Sequence, residues 1–232
     1  MDKGKSILFL RLEGPLQAWG ERSKWDYRDT AMCPTKSGVV GLIGCAMGIE
    51  RNSEELASIS DGIRIAIRID RQGIVMTDFH TVRPTLPDGV IVNSEGKVKS
   101  KANTIVSKRQ YLQDASFLVA IEGERKLLYR IGEAMENPKW VIFLGRKSCV
   151  PSMPVYQGVK EGYSSLEDAI CQFQLPEKSD DNSKILYEID SSDDEGYLRS
   201  DCINKDGKRS FSNRRVKLKT MAAGEVGKDV YQ

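Results

Sequence analysis

Hydrophobic and polar positions change period several times along the chain, and each change predicts an element. Ser6–Leu12 (SILFLRL) is a mostly apolar run that reads as a first strand, closed by Gly14-Pro15. A polar loop follows from Arg22 to Cys33. Pro34 and a capping Thr35 or Ser37 then precede the apolar stretch Val39–Ile49, which predicts a helix. Gly41, Gly44 and Gly48 share one face of that helix. Each weakens it by about 1 kcal/mol against Ala, which makes sense where the face must approach a sheet closely. Glu54–Ile59 reads as a short helix or turn. Gly62–Asp70 (GIRIAIRID) alternates, with Ile63, Ile65, Ile67 and Ile69 on one side, as a half-buried strand does.

Val75–Val82 is strand-like, and Pro84–Lys101 is turn-rich, an exposed hairpin or flexible loop. Gln110–Glu122 enters a strand that is strongest at Phe117–Ile121. Glu124–Met135 predicts an amphipathic helix ending near Asn137-Pro138, and Trp140–Leu144 a short strand that stops at Gly145. After Pro151 the pattern loosens, and Val216–Leu218 is the last clear strand. The order through Leu144 approximates an α+β fold of the βαββαβ kind, ferredoxin-like or RNA-recognition-motif-like (RRM-like), with a hairpin inserted at 84–108.

Composition leaves this picture unchanged: 232 residues, 40% hydrophobic and 29% charged, are ordinary for a soluble globular protein. No apolar run approaches the roughly 18 residues of a membrane span. Arg11 and Glu13 interrupt the first apolar run too early for a signal peptide, so a cytoplasmic protein is expected. The five cysteines are widely spaced with no CxxC pair, and His80 has no Cys or His neighbour. Neither a zinc site nor a disulfide framework is expected, and no metal or cofactor. Cys45 reads as a small core residue.

Charge changes the picture more. The net charge is only +2, but Lys97–Arg109 carries five basic residues and no acid. Arg199–Lys219 is again rich in Lys and Arg, whereas 177–195 is acidic. Concentrated basic segments suit a polyanion partner, although each run also reads as a solvated face.

The stretch PTKSGVVGLIGCAMGI (34–49) tests which polyanion. A P-loop places Lys-Ser after its glycines, and here Lys36-Ser37 comes before them. The dinucleotide fingerprint needs GxG directly after a strand, and neither condition is met. The stretch therefore divides: glycines for packing, and the opening helical turn, with Lys36 and Ser37, for an anion.

RLEGPLQAWG (11–20), PTKSGVVGLIGCAMGI (34–49), DFHTV (78–82), KRQYLQDASFLVA (108–120) and FLGRKSC (143–149) occur in this order and spacing. Together they resemble the CasD-like subunits of Cascade, the type I-E CRISPR surveillance complex, of the RAMP superfamily. The likeness covers residues 5 to about 158 and resumes at Arg209–Lys217. It implies an RRM-like domain over 1–150 with a thumb inserted at about 82–109, then a small β-rich domain over 151–232. It also implies a non-catalytic RNA-binding subunit that caps the complex and holds the 5′ handle of the CRISPR RNA (crRNA) in antiviral defence. The implied partners are a CasC-like backbone subunit, a CasA-like large subunit and, indirectly, target DNA, with no membrane. In type I-C relatives the corresponding subunit is a metal-independent endonuclease of precursor crRNA, so cleavage is a real alternative.

Such cleavage needs a positioned base and acid, and His80 is the one histidine available, with Tyr111, Lys108 or Lys147 to complete a set. A lone His between Phe79 and Thr81 is more simply structural or RNA-contacting, so no catalytic residue is expected. The RNA-binding candidates begin with Lys108, Arg109 and Tyr111 at the thumb base, where Lys108 replaces a larger aromatic common in the family. Arg146, Lys147 and Ser148 follow Gly145, and Lys36 and Ser37 open the helix. Gln17, Arg28 and His80 complete the set. Trp19 reads either as core or as a stacking platform. Trp25 and Tyr27 with Arg22, Lys24 and Arg28 interleave aromatics and cations as single-stranded RNA binding does.

Overall fold

The structure is a computed structural model that describes residues 5–24, 26–51, 53–84, 90–91, 97–98, 104–175, 184–191, 194–204 and 210–227. In chain order the elements are β1 (Lys5–Glu13), β2 (Leu16–Gln17), β3 (Tyr27–Arg28), α1 (Lys36–Met47), α2 (Glu54–Gly62), β4 (Ile63–Arg71), β5 (Ile74–Val82) and β6 (Ile105–Gln113). They continue with β7 (Ser116–Gly123), α3 (Arg125–Glu136), β8 (Tyr156–Tyr163), α4 (Leu166–Gln172), β9 (Lys184–Asp190), β10 (Tyr197–Ile203) and β11 (Phe211–Ala222). Within 82–109, only the flanks and the pairs 90–91 and 97–98 fall among the described residues, and within 177–195 only 184–191 and 194–195.

A seven-stranded antiparallel sheet, ordered β10-β11-β9-β4-β7-β1-β8, forms the body. The fold is thus α+β, with antiparallel pairing throughout except for the short parallel pair β3–β6. The sheet runs continuously across residue 150, because β8 pairs with β1 and β9 pairs with β4. Leu8, Leu10, Ile63, Ile65, Ile67, Val119 and Ile121 point to one side, where Val39, Ile43, Leu128 and Ile131 of α1 and α3 meet them. Ile7, Phe9, Ala66, Leu118, Ala120 and Ile189 point to the other, under Leu166, Ala169 and Ile170 of α4. Each of the Leu, Ile, Val and Phe side chains among them, fully buried, contributes roughly 1.5–3 kcal/mol.

β4 is therefore covered on both faces rather than half-buried. Alternation still shows, because the second face holds Arg68, which no hydropathy pattern marks as internal. Arg68 is fully buried and donates from Nη1 to the carbonyls of Ile170 (2.8 Å) and Phe173 (2.5 Å) and from Nε to Asp70 (2.6 Å). It caps the C-terminal end of α4, where a cation suits the exposed carbonyls.

The second sheet is built on β6. β5 pairs along its whole length, from Val82↔Ile105 to Ile74↔Gln113, while β2 and β3 pair with residues 112–113 and 108–109. Two further expectations need correction. Gln110–Glu122 is two strands, broken at Asp114, whose φ of 56° makes the turn. Trp140–Leu144 is not a strand but part of a tight loop, held by Trp140 N–H to Cys45 O (3.3 Å) and Leu144 N–H to Cys149 O (2.7 Å). The strand that follows α3 is β8, whose sequence YQGVKEGY carries two positive-φ glycines, Gly158 and Gly162.

Candidate nucleic-acid interface

The glycine-rich stretch forms α1 as expected, but its opening turn is occupied from within. Thr35 is the N-cap: its Oγ1 accepts from Gly38 N–H (3.1 Å). The Lys36 N–H donates to Asp201 Oδ2 (2.7 Å), so a carboxylate of the protein itself fills the anion-favouring end of the helix. Lys36 is 6% exposed, and its ammonium donates to Ile63 O (2.7 Å) and lies 3.7 Å from Asp190. Lys36 is thus a core cation, and the expectation that it faces phosphate is corrected. Ser37 remains partly open, with Oγ 3.3 Å from Thr35 Oγ1.

Asp201 and Asp190 belong to a buried ionic cluster with Glu188, Arg199 and Arg214. Arg199 Nη1 donates to Glu188 (2.6 Å), and Arg214 donates to Asp201 (2.6 Å), Glu188 (3.1 Å) and Asp190. Burial opposes the two guanidinium charges, and the surrounding anionic groups more than offset it, raising both pKa values. Cys33 sits at the cluster, and burial, then the Glu188 charge, push its thiol up to about 12. The C-terminal basic segment thereby presents Arg199 of β10 and Arg214 of β11 inward.

The glycines pack against side chains rather than the sheet. A Cβ on Gly38 would lie 2.9 Å from the Trp19 ring, and one on Gly44 would lie 2.6 Å from Leu56 Cδ1. Trp19 is accordingly core. Gly48 has φ 70° and caps the helix. Gly41 differs: a Cβ there would meet nothing within 4 Å. With Cys45 it floors an open groove of about 590 Å³, walled by Trp140, Val141 and Phe143 and edged by Arg51 and Lys147. A second cavity of about 290 Å³ adjoins it over Ser37 and Gly38, between Phe143 and Phe211.

Other candidates divide in the same way. Gln17 is fully buried: its amide donates to Leu12 O (3.0 Å) and Ala115 O (2.8 Å) and accepts from Trp19 Nε1 (3.0 Å). Tyr111 is buried, with the Arg146 guanidinium 4.6 Å over its ring. Arg146 donates to Gln110 O (2.8 Å), Arg28 O (3.1 Å) and Asp29 O (3.2 Å), stapling the 143–148 turn to β6 and β3. These three serve the fold, which corrects the expectation that they present themselves to RNA. Lys108, Lys147 and Ser148 are exposed. Arg28 and Arg109 are half-buried, and Arg109 Nε donates to Ser107 Oγ (3.4 Å). His80 stands on β5 with Nε2 2.5 Å from Asp78 Oδ2. Trp25 lies outside the described residues.

Lys147 edges the α1 groove and Lys108 is exposed on β6, and neither lysine has a carboxylate partner among the described residues. Among the described residues no group of three His, Cys, Asp or Glu side chains converges as a metal site, and no helix is long and apolar enough to cross a membrane. Pattern reasoning missed Phe79, Arg51 and the aromatic groove walls, because cross-strand register and loop path carry no local signal.

The family model described as CRISPR-associated protein (Cas_Cas5) matches residues 7–217. The chain belongs to this Cas5 family. It is 32% identical over 187 residues, 75% of each chain, to the CRISPR system Cascade subunit CasD of Escherichia coli (strain K12). Among solved structures it is similar to a chain of a CRISPR RNA-guided surveillance complex, with TM-score 0.76 and 27% identity over 93% of this chain and 90% of that one. A crystal structure of a Cas protein matches with TM-score 0.67 and 34% identity over 95% and 97%.

Proposed function

We propose that the protein is a non-catalytic RNA-binding subunit of a CRISPR surveillance complex. It caps one end of the complex and holds the 5′ handle of the crRNA. The observation that supports this most is that Lys108 on β6 and Lys147 on the turn that Arg146 bonds to β6 are both exposed and without carboxylate partners among the described residues. A phosphodiester backbone suits such a surface, since it offers one negative charge per nucleotide to fixed cations. The sheet order β4-β7-β1-β8 fits the ferredoxin-like plan expected for a RAMP protein. The β5–β6 hairpin, inserted between β4 and β7, fits the stem of a thumb. A CasC-like backbone subunit and a CasA-like large subunit are the expected partners, with target DNA engaged only through them.

Acid–base help from a positioned side chain is typically worth about 10²–10⁴-fold, and cleavage near neutral pH would lean on His80. The test is an end-labelled precursor RNA incubated with wild-type protein and with His80→Ala in a metal chelator. We expect no cut from either. A single specific cut by wild type, lost in the variant, would instead establish a type I-C-like endonuclease. Recovery of one short RNA species from the purified complex supports the holder reading, and assembly unaffected by ribonuclease without recovered RNA would remove it.

A further inference from the structure

The second sheet places three exposed side chains in one row. Register pairs Tyr27 of β3 with Lys108 of β6, and Lys108 with Phe79 of β5. Directly paired residues project from the same face of a sheet. Tyr27 is 41% exposed and Phe79 is 60% exposed, and Lys108 between them is also exposed. Two large aromatic side chains open to solvent on the strands that flank β6 leave apolar area that the fold does not bury. Lys108 N–H donates to Asp26 O (2.8 Å), which fixes β3 against β6 and holds the row in register.

We infer that this row is a stacking platform for single-stranded RNA, in which Tyr27 and Phe79 each take the face of an unpaired base and Lys108 neutralises the phosphate between them. The inference rests on the RNA-binding reading above and assigns base contacts within it. Strands lie about 4.8 Å apart, so the two rings stand roughly 10 Å apart across the lysine. That span suits two splayed bases on either side of one backbone charge, the composition by which sequence-tolerant single-strand binders work. A protein partner fits less well. Covering both rings would bury the Lys108 ammonium, which needs an acid placed between two apolar contacts. RNA brings its phosphate with every base.

The test uses the full chain and a fluorescein-labelled single-stranded RNA carrying the repeat-derived 5′ handle. A copy substituted with 2-aminopurine at successive positions reports stacking. Tyr27→Ala and Phe79→Ala should each weaken binding on the order of ten-fold, restore the fluorescence of one 2-aminopurine position, and leave the salt dependence unchanged. Phe79→Trp should bind as wild type. Lys108→Gln should lower the slope of log affinity against log salt by about 0.7. All three sites are exposed, and circular dichroism checks that the variants fold. Wild-type affinity and quenching in both alanine variants would overturn the platform while leaving RNA binding in place. If those variants bind RNA normally but fail to enter the complex, the row contacts protein instead. If wild type does not bind the RNA, the RNA-binding reading itself fails, and the platform with it.

Discussion

Exchanging Lys36 for Met removes the cation that lies between the Ile63 carbonyl and Asp190. Breaking a buried pair on one side costs about 3–5 kcal/mol, so urea unfolding of Lys36→Met should show a loss of that size. Lys147→Glu should leave urea stability within about 0.5 kcal/mol and weaken RNA binding, because Lys147 is exposed on the rim of the groove. Cys33 gives a pH dependence. Its thiol ordinarily titrates at 9.0 and in the fold is pushed up to about 12. Below pH 9 both states keep the proton. Between about 9 and 12 the unfolded chain releases it while the fold retains it, so stability falls as pH rises through that window. Tyr197, also raised by burial and by its hydrogen bond to Glu188, adds to the same alkaline loss. Cys33→Ser should flatten part of it in denaturant titrations at pH 8, 9 and 10. Thr35 as a cap was legible because capping is local. The burial of Lys36 was not, because it is decided by Asp190 and Asp201, more than a hundred residues away in sequence.

At the scale of elements, the 143–148 turn is the part that other pieces lean on. Arg146 bonds three carbonyls from β6 and the β3 strand, and Gly145 has φ 89° with a would-be Cβ only 1.8 Å from Ala18 O. Charge-assisted bonds of this kind contribute about 1.5–3 kcal/mol each. Arg146→Ala should therefore raise hydrogen exchange at residues 27–28 and 108–110 well before it changes exchange in β1 or β7. A change spread evenly over the chain would contradict the staple. Replacing residues 85–103 with a short Gly-Ser link should leave the β5–β6 pairing and solubility intact, since that stem closes at Val82↔Ile105. Assembly of the complex should suffer, as native electrophoresis with the partner subunits would show. β4 was readable from its alternating isoleucines. β8 was not, because glycines, Lys160 and Glu161 give it little strand character, and Trp140–Leu144 looked like a strand only because it is apolar.

At the scale of the molecule, the last strands are part of the first sheet. Ala66 faces Ile189 across β4 and β9, and the ionic cluster ties α1 to β9, β10 and β11. Thermal unfolding followed by circular dichroism and by tryptophan fluorescence should give one coincident transition. Two separated transitions would mean that residues 151–232 fold on their own. The pairing of β9 with β4 has no signature in the residues, because sheet partners are chosen at long range. The strand order also has a consequence for synthesis on the ribosome. The chain emerges from its N-terminus, and one edge of β4 is covered by β7 early. Its other edge waits for residues 184–190 to leave the exit tunnel. Through that interval the nascent chain presents an isoleucine-rich strand with unsatisfied backbone groups, an open template for pairing with a neighbouring polypeptide. Vectorial synthesis thus leaves a strand from the centre of the finished sheet at the edge of the unfinished one.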